Sequence, residues 1–443
     1  MLTLHIFRRD LRVHDNTALR AALAQGTVVP CFILDERQLE ENEYHSANCV
    51  QFMFDSLREL DEQLKALGGR LYLFKGIAED VVAQLKEHVE NITFNRDYTP
   101  FSQERDAALA KLLQCTSFPD ALLHEPEDVL KSDGQPYTVY TPFMKKARTL
   151  QVTAPQSTTG TFHTEQLPGE VPLTVLDELL PERNEQCIPG GRSHALAVLE
   201  NIGQYLSYVD TRNFPAQDAT THLSAHNKFG TVSVREVYHA IKDTLGEEHI
   251  LINELIWRDF FTHIAFHFPH VFGGPFKKKF ERVQWKNSKQ AFEKWCTGTT
   301  GFPIVDAGMR ELNTTGFMHN RVRMIVASFL TKDLQLDWRL GEQYFAQQLV
   351  DYDPCVNNGN WQWAASTGCD AQPWFRIFNP WLQQQKFDPA CEYIKQWVPE
   401  LADVPSSTIH NLANETIEGY PSQMVDHKTA REATLAMFKS ALG

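Results

Sequence analysis

The segment NNGNWQW at 357–363 brings two indoles, several carboxamides and a glycine together within seven residues. At about 100° per residue in a helix, Asn357 and Trp361 share one face, whereas Trp363 lies roughly 200° from Trp361 on nearly the opposite face. The two indoles therefore cannot perform the same task. Gly359 weakens a helix, and we expect it to let a ligand approach the backbone closely.

The chemistry open to these side chains includes proton exchange and electron transfer. The Asn357 amide is neutral and can donate or accept a hydrogen bond, which suits a heteroaromatic cofactor nitrogen that gains and loses a proton. All nine tryptophans lie between residues 257 and 397. They fit a large helical core, a surface that stacks on nucleobases, or a row of indoles oxidised one electron at a time. The residues alone leave these interpretations open.

The elements before this segment predict an α/β domain over residues 1–130, doubly wound around a parallel sheet. Strands are expected in the runs LTLHIFR, VVPCFIL, LYLFKG and ITFNRD, with ALLHE at 121–125 as a weaker fifth. Helices are expected at 48–67 and 78–89, where apolar residues recur every three or four positions. Neither GxGxxG nor GxxxxGK[ST] is present, so neither a Rossmann dinucleotide site nor a P-loop is predicted.

The rest of the chain divides into a connector and a helical domain. Residues 131–195 are rich in Pro, Thr, Ser, Gly and Gln, and are predicted to wrap over the surface with short helices at most. From 196 to 443 helical periodicity dominates. The predicted fold is thus an N-terminal α/β domain joined by a long connector to a larger all-α domain.

Charge is distributed unevenly along the chain. The net charge of −14 argues against nucleic acid as a partner, yet residues 258–323 hold 11 Lys+Arg against 5 Asp+Glu, a net of +6. This basic belt includes Lys277, Lys278, Lys279, Arg282 and Lys286. Phosphate binding needs a local patch rather than a basic protein. A solvated loop explains a lysine triplet equally well.

The cysteines and the apolar runs define the expected compartment. The eight cysteines are scattered without a CxxC pair, which favours free thiols in a reducing cytosol over a zinc or iron–sulfur site. No apolar segment reaches the roughly 18 residues of a membrane span, and arginines appear by position 8, where a signal peptide would need an apolar core. We expect a cytoplasmic monomer without a metal or a membrane partner.

Five long motifs carry a resemblance to a known family. They are FRRDLRVHDNTAL near the N-terminus, NELIWRDFF at 253–261, the stretch 301–338, the stretch 351–380, and YPSQMVDHKTAR at 420–431. In this order they resemble the photolyase/cryptochrome flavoproteins over nearly the whole chain, most closely the class I photolyases that act on cyclobutane pyrimidine dimers.

The resemblance implies that FAD binds in a U shape within the helical domain. Arg323 and Asp351 would form an ion pair over the isoalloxazine, although the pair could be only structural. Asp353 would take the N3–H side of the ring, and Asn357 would face N5. The diphosphate and ribityl side would be held by Tyr208, Thr220, Thr221, Leu223 and Ser224. The last four belong to the segment TTHLS, which could equally be an ordinary helix cap.

The resemblance also implies an electron-transfer row and a lesion pocket. Trp361, Trp338 and Trp285 match the row that reduces FAD in light, while the other tryptophans outside the pocket are interpreted as packing. The residues matching the lesion pocket are Glu254, Trp257, Arg258, Asn320, Met324 and Trp363. The residues matching contacts to the DNA backbone are Arg212, Arg321 and Gln383, each of which would by itself be a solvated surface side chain.

The implied activity is light-driven repair of DNA damaged by ultraviolet light. Relatives acting on (6-4) photoproducts carry histidines where this chain has Asn320 and Met324, and their chemistry needs a proton donor. Methionine cannot supply one, so cyclobutane dimers are the expected substrate. A blue-light photoreceptor is the alternative, disfavoured by the absence of a long tail after the last motif. The second, light-harvesting chromophore could be a folate, a deazaflavin, another flavin, or none.

Overall fold

The computed structural model describes residues 2–39 and 42–442. Its N-terminal half is built around a six-stranded sheet with the order β5-β4-β1-β2-β3-β6. The first five strands are parallel and the sixth is antiparallel to the third. The strands are β1 Leu2–Phe7, β2 Thr27–Leu34, β3 Tyr72–Lys75, β4 Asn91–Asn95, β5 Gln114–Phe118 and β6 Glu170–Val171.

Helices cover both faces of this sheet, which confirms the doubly wound architecture. They are α1 Thr17–Leu23, α2 Glu36–Leu39, α3 Ala47–Ala66, α4 Ala78–Leu85 and α5 Pro100–Leu109. The long helix α3 begins where the Ser46 hydroxyl accepts from the Cys49 N–H, and it buries Phe52, Phe54 and Leu57 in the hydrophobic core. A serine cap followed by apolar residues at helical spacing is the pattern that made this helix predictable.

The weaker fifth strand was placed wrongly by the sequence pattern. ALLHE at 121–125 forms bends, and the backbone N–H groups of Leu123 and His124 donate to the carboxylate of Asp259 in the helical half. The fifth strand is instead β5, at the sheet edge, where most side chains are at least partly exposed. An edge strand with polar residues lacks the continuous apolar run that marks a buried parallel strand.

The segment 131–195 contains two short helices and one strand. The helices are α6 Tyr140–Ala147 and α7 Val175–Leu179. The strand β6 extends the sheet next to β3, and Phe162 forms an isolated bridge with Val28. The connector therefore packs on the α/β half through β6 and Phe162, and on the helical half through α6. The boundaries at 130 and 195 stay a prediction.

The remainder is helical, as predicted. Its first helices are α8 Arg192–Glu200, α9 Tyr208–Thr211, α10 Ser224–Phe229, α11 Val234–Leu245, α12 Ile250–His267, α13 Lys289–Cys296 and α14 Pro303–Thr315. The others are α15 Asn320–Ser328, α16 Trp338–Gln348, α17 Pro354–Ala365, α18 Pro380–Phe387, α19 Glu392–Trp397, α20 Ser406–Ile409 and α21 His427–Leu442. A π-helical turn at Phe329–Asp333 continues α15.

The core of this half is unusually aromatic, and Trp295, Trp338 and Trp361 are all almost fully buried in one cluster. Helices α16 and α17 pack beside each other in this cluster, and α12 packs against α17. Over residues 2–39 and 42–442 no helix is long and apolar enough to cross a membrane, and no group of metal-ligating side chains occurs.

Buried ion pairs join the two halves. Arg12 pairs with Asp120 at 2.6 Å, and Arg235 of α11 reaches both Asp120 and Asp15 at 2.8 Å. Burial alone would raise the pKa of Asp120, but the two guanidinium groups outweigh it and lower the pKa to about 2. Such paired charges are stable only while each partner is present, so the network fixes how the halves meet.

Candidate cofactor and DNA site

Helix α17 carries Asn357, Trp361 and Trp363. It starts at Pro354, and the Asp353 carboxylate caps it by accepting from the N–H groups of Cys355 and Val356 at 3.0 and 3.2 Å. Asn357 and Trp361 are buried, whereas Trp363 is partly exposed. The helix thus presents one aromatic side chain to the core and the other toward the surface, as its spacing indicates.

The Asn357 amide is held in one orientation. Its Nδ2 donates to the backbone oxygen of Glu342 at 3.0 Å, and the side chain is 8% exposed. Because the nitrogen is engaged, the amide oxygen is the atom left to accept from a ligand N–H. Burial raises the pKa of the Glu342 carboxyl to about 7. The residue that orients this amide through its backbone therefore also carries a weakly acidic side chain.

Gly359 lies where α17 meets α12, and its expected contact with a ligand stays a prediction. A Cβ built on Gly359 would lie 2.1 Å from Cδ1 of Phe261 on α12. A larger residue would therefore disturb the packing of the two helices, and the glycine also lines a shallow cavity between them.

Arg323 and Asp351 form a bidentate ion pair, with N–O distances of 3.2 and 2.9 Å. The Arg323 Nε also donates to the oxygen of Met318 at 2.6 Å. Each of the three guanidinium nitrogens thus donates to a protein oxygen. Such fixed geometry makes arginine a rigid recognition element.

A buried histidine next to this pair has an unsatisfied donor. His319 accepts from the N–H of Arg321 through Nδ1, and its buried Nε2 has no hydrogen-bond partner among the described residues. Burial, with Arg323 close by, lowers the pKa of His319 to about 4. The neutral ring therefore carries its proton on Nε2. Because buried donors are normally satisfied, this N–H fits a bound polar group such as a cofactor.

Asp353 has partners of its own besides the helix cap. Its second oxygen pairs with Arg9, which follows β1 and also reaches Asp97 at 3.3 Å. Burial would raise the pKa of Asp353, but Arg9 and Arg258 hold it below its usual range. The carboxylate is thus an ionised link between the α/β half and α17. Its predicted contact with a cofactor ring stays a prediction.

Arg258 is not brought into the group around Trp257. Its guanidinium donates to the backbone oxygens of Ala121 and Asn227, at 2.6 and 3.2 Å. Adjacent helical residues point about 100° apart, and this rotation turns Arg258 toward the junction of the two halves. The structure places it beside Arg9 and Asp353 rather than in a substrate pocket.

The residues predicted for the diphosphate side lie around the start of α10. Leu223 is buried, Thr220 and Thr221 are partly exposed, and Ser224 is exposed. The Thr221 hydroxyl accepts from the Leu223 N–H at 3.4 Å. The half-buried Tyr208 has its pKa raised to about 12 by burial, so it presents a neutral phenol. This set supplies hydroxyl and backbone donors, as a phosphate needs.

Trp257 and Trp363 line one shallow cavity, together with Gly368, Cys369 and Asp370. On its other side Trp257 stacks on Tyr140 of the connector helix α6, with 3.4 Å between ring centroids and 5° between ring planes. Two indoles from α12 and α17 therefore share an opening, which is the arrangement expected of a site for a flat apolar ligand.

Several of the residues predicted to contact DNA are charged and interact with neighbouring polar groups. Glu254 and Arg212 form an ion pair, and burial raises the pKa of Glu254 against the opposing effect of Arg212. Arg321 donates to the Asn213 oxygen at 2.6 Å and lies 3.7 Å from the Met324 sulfur.

The remaining predicted contacts are at least partly exposed. Asn320 is exposed at the start of α15, and Gln383 is partly exposed on α18. Burial lowers the pKa of Arg321, and the neighbouring Arg212 and Arg376 lower it further. Mutually repelling guanidinium groups favour an anion between them.

The lysines of the basic belt, Lys277, Lys278, Lys279 and Lys286, are exposed.

The predicted tryptophan row has two buried members and one partly exposed member. Trp361 and Trp338 are 2% and 1% exposed, and Trp285 is partly exposed and packs against the same cluster. The ring contacts of Trp361 are with Phe345, at 4.9 Å between centroids, and with Trp295, at 6.1 Å. Trp295 had been interpreted as packing, yet it is the indole next to Trp361.

Sequence reasoning missed several residues of this site. His319 directly precedes the predicted Asn320 in the motif MHN, and its helix-capping position could have drawn attention to it. Tyr140 and Trp295 act through ring contacts between distant segments, which no local pattern reveals. Glu342 orients Asn357 through its backbone oxygen. Because every residue has this oxygen, the residue type could not indicate the contact.

Comparison with known proteins gives consistent matches. A model described as the FAD binding domain of DNA photolyase matches residues 251–440, and one described as DNA photolyase matches residues 3–159. The deoxyribodipyrimidine photo-lyase of Halobacterium salinarum is 37% identical, over 98% of each chain.

Solved structures agree with these matches. The archaeal photolyase from Sulfolobus tokodaii with two FAD molecules is 41% identical, with a TM-score of 0.92 over 99% of this chain and 100% of that one. The cryptochrome of Synechocystis is 30% identical, with a TM-score of 0.91 over 99% of each chain.

Proposed function

Because this chain belongs to the DNA photolyase family, we propose that it repairs cyclobutane pyrimidine dimers in DNA with light and bound FAD. One structural observation carries the proposal. On the single helix α17, the buried Asn357 amide is oriented by Glu342, and Trp363 lines an opening with Trp257. One helix thus serves a buried cofactor and an accessible substrate at once.

The helical half carries the FAD-binding domain, and its polar groups fit that cofactor. The Asn357 oxygen would accept from N5–H of the reduced ring, and the Arg323–Asp351 pair would lie over the isoalloxazine. The unsatisfied Nε2–H of His319 would donate to the cofactor on the Arg323 side. Tyr208 and the TTHLS segment would hold the diphosphate and ribityl portion. Bound reduced FAD supplies, on excitation, one electron that splits the dimer and then returns, so there is no net redox change.

The chain's own residues would position the damaged bases. Photolyases extrude their target nucleotides from the duplex, and the saturated rings of a dimer are apolar enough to pack between Trp257 and Trp363. Glu254, which Arg212 orients, would accept from base N–H groups, and Asn320 would bond to carbonyls. Met324 offers no transferable proton, which favours cyclobutane dimers over (6-4) photoproducts.

Binding of the DNA backbone would use positive charge around the opening. Arg212 and Arg321 would contact phosphates beside the flipped bases, and Gln383 would contact the backbone from α18. The exposed lysines of the basic belt would extend this contact along the duplex.

The site is built within one chain, so we propose a cytoplasmic monomer as the active form. A second chromophore in the α/β half would extend light capture; its chemical class stays open among a folate, a deazaflavin and a flavin.

The electron row would keep FAD reduced. Trp361 would donate to the flavin, and Trp338 and then Trp285 would refill it toward the surface. The row ends at the partly exposed Trp285, so the positive charge would end near water, which stabilises it.

The test is a repair assay with an oligonucleotide containing one thymine dimer. Protein whose FAD has been reduced chemically is incubated with it in the light and in the dark, and the restored thymines are quantified. Light-dependent restoration is expected. Photoreduction of FAD without any restoration would instead identify a light sensor, and protein that binds no flavin would remove the proposal altogether.

A further inference from the structure

A second chain of oxidisable rings leads away from Trp361. Trp295 of α13 lies 6.1 Å from Trp361 in an edge contact, and Tyr344 of α16 lies 5.8 Å from Trp295 in another. Trp338 and Trp285, which match the family's row, are not among the rings in contact with Trp361 within the described chain. Among the ring contacts of the described residues, Trp295 thus connects Trp361 to Tyr344, a half-buried ring that can be oxidised.

We propose that Trp295 and Tyr344 form a second route that refills oxidised Trp361 and ends in a tyrosyl radical near the surface. The inference rests on the proposed role of Trp361 as the electron donor to FAD. One electron passes from Trp295 to the Trp361 cation, and one passes from Tyr344 to the Trp295 cation. Tyr344 releases its phenolic proton at the same time, and a small-molecule thiol later returns one electron and one proton to it.

The surroundings of Trp295 suit a ring that is oxidised only transiently. It is fully buried, and its Nε1–H donates to the backbone oxygen of Val326 at 3.1 Å. A carbonyl oxygen is too weak a base to take the indole proton, and no water reaches the ring. The Trp295 cation therefore keeps its proton and passes its charge on.

The surroundings of Tyr344 suit a final donor. Its phenolic O–H donates to Oδ1 of Asn313 at 2.7 Å, and Asn313 is exposed at the end of α14. An oxidised phenol is a strong acid, so a hydrogen bond that leads to water gives its proton a way out. Burial raises the pKa of the unoxidised phenol to about 12, so the group holds its proton until it is oxidised.

Close packing holds helix α16, which carries Tyr344, against Trp361, where both routes start. A Cβ on Gly341 would lie 2.1 Å from Cη2 of Trp361, so the glycine brings α16 against this indole. The same helix carries Trp338 at its start and Tyr344 near its end. One helix thus supplies a ring to each route.

The experiment compares variants of the FAD-loaded protein by time-resolved electron paramagnetic resonance after a light pulse. Ring-deuterated tyrosine narrows the spectrum of a tyrosyl radical and leaves that of a tryptophan radical unchanged. We expect Trp338→Phe to retain part of the light-driven FAD reduction and to show the tyrosyl signal. Adding Tyr344→Phe, or Trp295→Phe, should remove that signal and lower the remaining reduction.

Tyr344→Phe is the decisive variant because its side chain is half-buried and only the hydroxyl is lost. Tyr238→Phe, at a half-buried tyrosine whose ring meets His239, is the matched control. Melting curves and the spectrum of bound FAD verify folding. A tyrosyl signal that survives Tyr344→Phe, or its absence from Trp338→Phe, overturns the second route.

The proposed function is distinguished by two further measurements. If Trp361→Phe leaves light-driven reduction unchanged, the role of Trp361 fails and the second route fails with it. Repair by chemically reduced protein needs neither route, so it reports on the proposed activity alone.

Discussion

The phenol of Tyr140 lies parallel to the indole of Trp257, with 3.4 Å between the ring centroids. Tyr140 is itself fixed at two points, because its hydroxyl donates to the Asn253 oxygen at 3.0 Å and its N–H donates to the Asp370 carboxylate at 2.9 Å. The connector thus covers one face of Trp257. The other side of the indole borders the cavity that it shares with Trp363.

We expect Tyr140→Leu to weaken binding of dimer-containing DNA by about 0.5–1.5 kcal/mol, the contribution of an aromatic pair beyond its buried area. Without the stack, Trp257 would adopt other rotamers and lose its orientation toward the substrate. Tyr140→Phe keeps the stack and loses only the hydroxyl, so it should bind nearly as tightly as the unchanged protein. Fluorescence anisotropy with damaged and undamaged duplexes measures both. Equal losses in the two variants would assign the effect to the hydroxyl.

Trp363→Ala should weaken binding of damaged DNA by roughly 1–3 kcal/mol, by analogy with base stacking on aromatic side chains. Its FAD content should not change, because Trp363 faces away from Asn357 on α17. Trp397→Ala, at another partly exposed indole, serves as the matched control. Loss of the yellow colour in Trp363→Ala would show that the residue supports the fold around the cofactor instead.

The basic belt predicts a steep dependence of DNA affinity on salt. In a plot of the logarithm of the binding constant against the logarithm of the salt concentration, each phosphate that the protein neutralises contributes about −0.9 to the slope. Replacing Lys277, Lys278 and Lys279 by alanine should therefore make the slope shallower, by up to about 3 if all three contact phosphates. Lys111→Ala, at an exposed lysine in the α/β half, should leave the slope unchanged. An unaltered slope in the triple variant would place the triplet outside the interface.

Asn357→Asp should speed the dark reoxidation of reduced FAD. A carboxylate at this position would face the Glu342 oxygen without a proton to donate, and its charge would oppose the extra negative charge of the reduced ring. Absorbance of the oxidised flavin after illumination follows the rate. Asn360→Asp makes the same chemical change at an exposed position of α17 and should have little effect. Equal rates in Asn357→Asp and the unchanged protein would remove Asn357 from the flavin site.

The fold was largely predictable because most elements are amphipathic or continuously apolar. Buried strands such as β1 and β2 and capped helices such as α3 follow from local patterns alone. The edge strand β5 did not, because its residues are mostly exposed and polar. The antiparallel β6 has only two residues, and pairing with β3, far away in sequence, creates it.

Individual site residues were predicted through long motifs, and contacts between distant segments were not. The spacing of Asn357, Trp361 and Trp363 on one helix could be read directly. The turning of Arg258 toward Ala121 and Asn227 depends on how the two halves meet. The same holds for Arg9 beside Asp353, 344 positions apart. Helix spacing also could not show that Gly359 lies against Phe261 of α12.

Glu342 is expected to make the stability of the protein depend on pH. The residue is 7% exposed, and burial raises the pKa of its carboxyl from 4.5 to about 7. Between these values the unfolded chain releases the proton while the folded protein keeps it. The free energy of unfolding therefore falls as pH rises through this window and stays lower above it, by up to about 3 kcal/mol from this group.

Glu342→Gln should abolish this contribution while keeping the shape of the side chain and the backbone oxygen that orients Asn357. We expect the variant to match the unchanged protein near pH 4.5 and to exceed its free energy of unfolding at pH 8. Denaturant titrations at several pH values measure the difference. Because other buried carboxyls titrate identically in both proteins, the comparison isolates Glu342, and Glu281→Gln at an exposed position is the control. A difference that does not change between pH 4.5 and 8 would show that the pKa of Glu342 is the same in the folded and unfolded protein.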